Sequence, residues 1–473
     1  MPDTHGAAAG SPNLALTQVV TAGFPALVAD LAKLVRIPSV SWPAFDPAHV
    51  SRSAHAVAAL LTDTGLFDEV EVRQEPEVGG TSLGHPAVLA RRAAKPGFPT
   101  VLLYAHHDVQ PPGDDAPWAT PPFEPTVRGD RMFGRGAADD KAGVIAHVGA
   151  LRALADLTGE LGLGISVFIE GEEEWGSASF GTFLAEHRET LRADAIIVAD
   201  SDNFDVQTPS LTVALRGAVA FNVTVATLAH ASHSGMFGGA VPDAMLATVQ
   251  LLNTLWNPDG SVAVHGLTSA AMDVPAYDDA QLRAEAGLLD GVSPIGSGPI
   301  LARLWAQPSI TVTGIDAPSI ANASNTLVPA VRVRVSARIA PGQDAAEAER
   351  LLRDHLIARA PFGARLSFDQ PNVGDAFLVD TSGWAVDEML SAMHDAWGKP
   401  PVQVGVGGSI PFIAELVGVF PEAQVLVTGV EDPHTMAHSP NESVHLGVLK
   451  RAILTEALFL SRLNARGQGA AVS

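Results

Sequence analysis

The chain has 473 residues, no cysteine, and a formal net charge of −23 from 29 basic and 52 acidic side chains. Such a surface repels phosphate backbones, so nucleic acid is not an expected partner. The missing thiols exclude disulfides, thiolate metal sites and a cysteine nucleophile. With 47% hydrophobic and 17% charged residues, the chain can bury a sizeable core in two or three domains.

Residues 1–13 read as a tail lacking the basic and apolar blocks of a secretory leader. No run approaches 18 consecutive apolar residues, so no membrane span is expected and the cytoplasm is the expected compartment. Helical periodicity covers Leu14–Leu34 and Pro47–Asp63. Short apolar strands follow at Glu69–Arg73, Ala87–Ala90, Val101–Ala105, Gly164–Ile169, Ala195–Ala199 and Gln424–Val427, with a helix at Ala142–Leu157 among them. Near-continuous apolar strands alternating with helices predict an α/β domain whose mainly parallel sheet is covered on both faces. The middle differs. Val219–Ala226, Ile310–Ile315, Val331–Ile339 and Ala364–Asp369 read as strands, and Asp243–Trp256 and Gln343–Ala358 as helices. Their β-α-β-β-α-β order predicts a ferredoxin-like insert. The expected division is therefore a catalytic domain of residues 1–211 and 380–473, interrupted by an inserted domain at 212–379.

Four outer-domain strands run into acidic or imidazole groups: His106-His107-Asp108, Glu170 through Glu174, Asp200-Ser201-Asp202, and Glu431-Asp432 followed by His438. In an open parallel sheet such ends share the edge where ligands bind. His106 with Asp108 suits an imidazole that binds a metal while a carboxylate fixes its other nitrogen. Asp139 and Asp140 stand just ahead of a helix, where an N-cap role and a cation-bridging role are both open. Glu172-Glu173-Glu174 packs like charges that a cation would relieve. One such glutamate can bind metal while its neighbour acts as general base on a metal-activated water. Imidazoles and carboxylates suit Zn²⁺, with Co²⁺ or Mn²⁺ as substitutes.

The stretches Tyr104–Pro111, Phe133–Lys141, Glu170–Ser177, Ser201-Asp-Asn203, His233–Gly239, Gly407–Pro411 and Ala437–Glu442 resemble the M20 metallopeptidases, and within them the carnosinase-like dipeptidases. The resemblance runs from about residue 20 to 460. It implies a dizinc site in which His106 and Asp202 bind one ion, Glu174 and His438 the other, and Asp139 bridges them. Asp200 competes with Asp202 for its place. The resemblance further implies Glu173 as general base and acid, Asp108 as the group orienting His106, and His233 as oxyanion stabiliser. Arg338 would clamp the substrate carboxylate, Asn325 would add a polar contact, and Gly408 and Ser409 would offer loop donors. A cis peptide is implied at Asp139–Asp140. The insert would be a lid and homodimerisation domain. Gly405-Val406 departs from the Arg-Glu common in related dipeptidases before Gly-Gly-Ser-Ile-Pro, which bears on substrate contacts.

The reaction implied is hydrolysis of dipeptides or short peptides by a metal-activated water, with Glu173 carrying the proton. The runner-up is an N-acyl amino acid deacylase of acetylornithine or succinyl-diaminopimelate type. A non-catalytic metal-binding protein is the reading from another class.

Overall fold

A computed structural model describes residues 12–113, 117–157, 161–379, 381–407 and 411–470. The chain divides into two compact units, one of Met1–Val213, Val379–Gln403 and Glu415–Ser473, the other of Ala214–Leu378 and Val404–Ala414. The segment Val404–Ala414 groups with the inserted unit, whereas the sequence reading places all of 380–473 in the outer domain.

In the first unit a sheet takes the order Glu69–Arg73, Ala87–Arg92, Gly164–Glu170, Thr100–His106, Ala195–Val198, Gln424–Val427, Ser210–Leu215. The four central strands, from Gly164–Glu170 to Gln424–Val427, are mutually parallel. The flanking pairs are antiparallel, so the sheet is mixed rather than mainly parallel. Antiparallel neighbours need no crossover helix, and an apolar run alone does not distinguish the two pairings. Thr100–His106 and Gly164–Glu170 are buried almost throughout, as strands covered on both faces must be.

The helix Lys141–Leu157 packs against Thr100–His106, and the helices Pro12–Val35 and Leu446–Ala470 pack on it in turn. Asn13–Val35 is long and apolar enough to cross a membrane by length and composition, although polar residues such as Gln18 and Asp30 interrupt its apolar run. Here one stripe of that helix, including Leu16, Val20, Leu27, Leu31 and Leu34, is buried. Its Asp30 pairs with Arg152 of the neighbouring helix at 2.8 Å. A charge paired across two packed helices is the mark of a core helix.

The second unit holds a four-stranded antiparallel sheet in the order Ser309–Asp316, Ala330–Ile339, Gly217–Ala226, Arg365–Gly374. Helices Ala244–Asn253 and Ala345–Ala358 pack against it. In chain order this is β-α-β-β-α-β with strand order 2-3-1-4, the ferredoxin-like arrangement. Alternation dictates its two faces: Val331, Val333, Val335, Ala337 and Ile339 are buried, while Arg332, Arg334, Ser336 and Arg338 between them are half-buried. The long excursion after Trp256 carries the short helices Asp279–Ala286 and Ile300–Trp305.

Candidate active site at the strand ends

Parallel strands in the first unit bring their carboxyl ends to one edge. His106 closes its strand and is fully buried. Its Nδ1 lies 3.4 Å from Asp108 Oδ1 and 3.2 Å from the Asp108 carbonyl, so that nitrogen is held. Its Nε2 is buried with no hydrogen bond among the described residues. Around it stand Asp139 Oδ1 at 3.1 Å, Asp200 Oδ1 at 3.8 Å and Glu173 Oε2 at 4.0 Å. A buried imidazole nitrogen ringed by carboxylate oxygens suits a cation site, with the outer nitrogen fixed by a carboxylate.

Asp139 turns its other oxygen to a second group. Its Oδ2 is 2.9 Å from His438 Nε2, which is 3.3 Å from Glu174 Oε2. His106, Glu173 and Asp200 form one set of donors able to hold a metal, and Asp139, Glu174 and His438 form the other. Asp139 thus reaches both sets, one oxygen to each. The peptide Asp139–Asp140 is cis, as the resemblance implies.

The expected ligand Asp202 is not in either set. Its backbone bridges to Glu431, and its carboxyl lies against that of Glu431. Asp200, nearer the strand end, is the aspartate that faces His106.

Supporting residues hold the donors. Asp108 accepts the Glu173 and Glu174 amides at 3.2 and 3.1 Å and the Ser41 hydroxyl at 2.7 Å, so one carboxylate orients the imidazole and the glutamate turn together. Glu174 accepts the Gln110 amide and side chain. Asp140 accepts the His106 amide at 3.1 Å. Glu172 takes a structural role: it accepts Ser179 N and Oγ and His85 N. Buried Glu442 accepts Arg135 Nη1 at 2.6 Å and the amides of Gly136, Ala138 and Asp139 at 3.0–3.2 Å, which fixes the loop presenting Asp139. Ser41, Gln110, Arg135 and Glu442 have no assigned role in the sequence reading, although all but Ser41 lie inside the quoted motifs.

The electrostatics are those of crowded acids. Burial raises the carboxyls of Glu173 and Glu174 well above the usual range, Asp139 adding to the rise at Glu174. Burial, with Asp139 and Asp202 nearby, brings Asp200 to about 6 against the pull of the His106 and His438 rings. Burial also works against ionised Asp139, but the His106 and His438 rings win and hold it below the ordinary range. Divalent cations at this edge would offset the repulsion among these carboxylates.

The remaining candidates lie in the inserted unit and are described within it. His233 pairs with Thr326, and Ser234 donates its amide to the Asn325 carbonyl, so His233 and Asn325 are neighbours. His233 is exposed, and its Nδ1 accepts the Gly235 amide. Arg338 lies opposite Ser309 and Ala218 on the half-buried face of the sheet. Gly408 and Ser409 lie outside the described residues.

The sequence model of Peptidase family M20/M25/M40 matches residues 102–462. A cysteinylglycine-S-conjugate dipeptidase of Corynebacterium striatum is 34% identical over 413 residues, 86% of this chain and 89% of that protein. The human Beta-Ala-His dipeptidase is 27% identical over 388 residues, 76% of this chain and 74% of that protein. Among solved structures, the di-peptidase Dug1p of Saccharomyces cerevisiae matches with a TM-score of 0.75 at 23% identity, covering 96% of this chain and 99% of that one. Human carnosine dipeptidase 1 matches with a TM-score of 0.75 at 23% identity, covering 95% and 98%.

Proposed function

Since the chain belongs to peptidase family M20/M25/M40, we propose that it hydrolyses the peptide bond of dipeptides at a two-metal site. The observation that carries this reading is Asp139 reaching two donor sets with one oxygen each, beside the buried Nε2 of His106. Zinc fits the donors, two imidazoles with carboxylates and no sulfur. His106 and Asp200 would hold one ion, Glu174 and His438 the other, and Asp139 both. In this reading Asp200 takes the place expected of Asp202. Such a pair supplies a water of lowered pKa and polarises the scissile carbonyl.

The chain's own residues do the rest. Asp108 keeps the His106 ring in one orientation and pins the Glu173-Glu174 turn. Glu173 accepts the proton of the attacking water and returns it to the leaving amine; burial strengthens its hold on that proton. His233 steadies the oxyanion: because Nδ1 accepts the Gly235 amide, the ring proton sits on Nε2, a free donor. Arg338 binds the substrate carboxylate, and Asn325, Gly408 and Ser409 contact the substrate.

The inserted unit is proposed as the lid and the homodimer surface, with His233 serving the partner's site. The exposed apolar side chains Met236, Phe237, Leu246 and Val249 on its helices support that assignment. Metal-loaded protein mixed with free dipeptides and their N-acetylated counterparts, with and without chelator, tests the activity. Chelator-sensitive release of amino acids from the free dipeptides is expected. Cleavage of the acylated forms alone would make the protein a deacylase.

A further inference from the structure

Arg216 stands between the strands Ser210–Leu215 and Gly217–Ala226, within the inserted unit. It is 8% exposed. A guanidinium so placed normally has a carboxylate partner, because an isolated buried charge is costly. Its three hydrogen bonds among the described residues go instead to neutral oxygens. Nε donates to the Gly407 carbonyl at 3.3 Å, and Nη1 to the Gln307 carbonyl at 3.3 Å and Ser309 Oγ at 3.2 Å. Nη2 makes none of these bonds and stands beside Gly407, where an added Cβ would come within 3.0 Å of it.

Among the described residues the charge that acts on Arg216 is another cation, Arg338. Ser309 pairs directly with Arg338 across the sheet, and Arg338 pairs with Ala218, two residues beyond Arg216. Arg216 donates to Ser309, and Ser309 pairs with Arg338, so Arg216, Ser309 and Arg338 adjoin one another. On the same strand Arg332 pairs with Asp369, and Arg334 donates to Asn222 Oδ1 and the Gln370 carbonyl. Desolvation, and secondarily Arg338, lowers the pKa of Arg216 to about 10, so the site disfavours its charge as it stands. An anion would reverse that, and a planar carboxylate matches the open edge of a guanidinium.

We propose that Arg216 joins Arg338 in binding the terminal carboxylate of the peptide substrate, with Ser309 and Gly407 holding the Arg216 fork in position. The inference rests on the dipeptidase reading. It makes a free C-terminal carboxylate, rather than a side chain, the feature the inserted unit selects. The neutral anchors of Arg216 leave its charge for the ligand.

The test uses the metal-loaded full chain and two pairs of compounds: alanyl-alanine with its C-terminal amide, and N-acetylglycine with N-acetylglycinamide. Wild type, Arg216→Gln and Arg216→Lys are compared. For Arg216→Gln, KM for the dipeptide is expected to rise roughly 10- to 100-fold, the range of a lost charge-assisted hydrogen bond. Its kcat should change little, and its preference for dipeptide over amide should collapse. Arg216→Lys should restore part of that preference, which a purely structural arginine would not predict. Calorimetric titration reads the same preference without turnover: wild type should bind N-acetylglycine tighter than N-acetylglycinamide, and Arg216→Gln should not. If Arg216→Gln raises KM equally for dipeptide and amide, and leaves the preference for N-acetylglycine intact, Arg216 only holds the Gly407 segment and the proposal is wrong. If wild type cleaves neither substrate, the dipeptidase reading fails, and the titration still decides the carboxylate site.

Discussion

Replacing Glu442 by Leu attacks the loop that presents Asp139 without touching a metal donor. The carboxylate and Arg135 are both essentially inaccessible to solvent, and their 2.6 Å contact is the charge balance of that pocket. Removing one partner of a buried ion pair costs about 3–5 kcal/mol, because the other charge stays buried. The amides of Gly136, Ala138 and Asp139 lose their acceptor as well, at about 1 kcal/mol or more each. Leucine nearly conserves volume, so little of the loss comes from a cavity. The expected destabilisation is about 5 kcal/mol or more, a large share of the ~5–15 kcal/mol that holds a typical domain together. Urea unfolding at equal metal loading reads it. The double variant Arg135→Met with Glu442→Leu removes the stranded charge and should recover about 2 kcal/mol or more, though not the amide term. A loss below about 1 kcal/mol for the single variant, or a double variant worse than the single, would refute the ion-pair argument.

Three further outcomes are expected. Glu173→Gln should keep both metals but lose roughly 10²- to 10⁴-fold in kcat, read by steady-state kinetics with metal analysis; unchanged turnover would remove its proton-carrying role. Asp200→Asn should weaken metal binding by about 10-fold or more, whereas Asp202→Asn should not, as metal titration would show; the reverse result would restore Asp202 as the ligand. Stability should depend on pH through Glu170, whose carboxyl burial raises from 4.5 to about 8 while Tyr104 donates to it. Between those values the folded chain keeps a proton that the unfolded chain has released, so stability falls as pH rises through that window. In Glu170→Gln this contribution should be absent, and its urea midpoint should gain on wild type from pH 5 to pH 8.

Much of the site was legible because its chemistry concentrates improbable residues. Adjacent carboxylates after a buried strand, and an imidazole followed two residues later by an aspartate, are hard to accommodate without a cation. Period-two alternation likewise made the strand Ala330–Ile339 readable. What escaped depends on distant partners. The Ser201-Asp-Asn203 context favours Asp202 over Asp200. In the structure Asp200 faces His106, while the Asp202 backbone bridges to Glu431, more than 200 residues on. Glu442 meets the 135–139 loop from about 300 residues away, and Ser41 meets Asp108 across 67 residues. The antiparallel flanks of the sheet were hidden because an apolar run carries no direction. Arg216 went unremarked because a single arginine before a glycine has no local signature.

The most direct measurement is turnover of a free dipeptide as zinc is titrated into chelator-stripped protein, with bound metal counted at each step. The account predicts that full activity needs two ions per chain, and that Asp139→Asn loses binding at both positions together. Full activity with one ion per chain, or an Asp139→Asn protein that still fills one position with wild-type affinity, would contradict the shared-aspartate site.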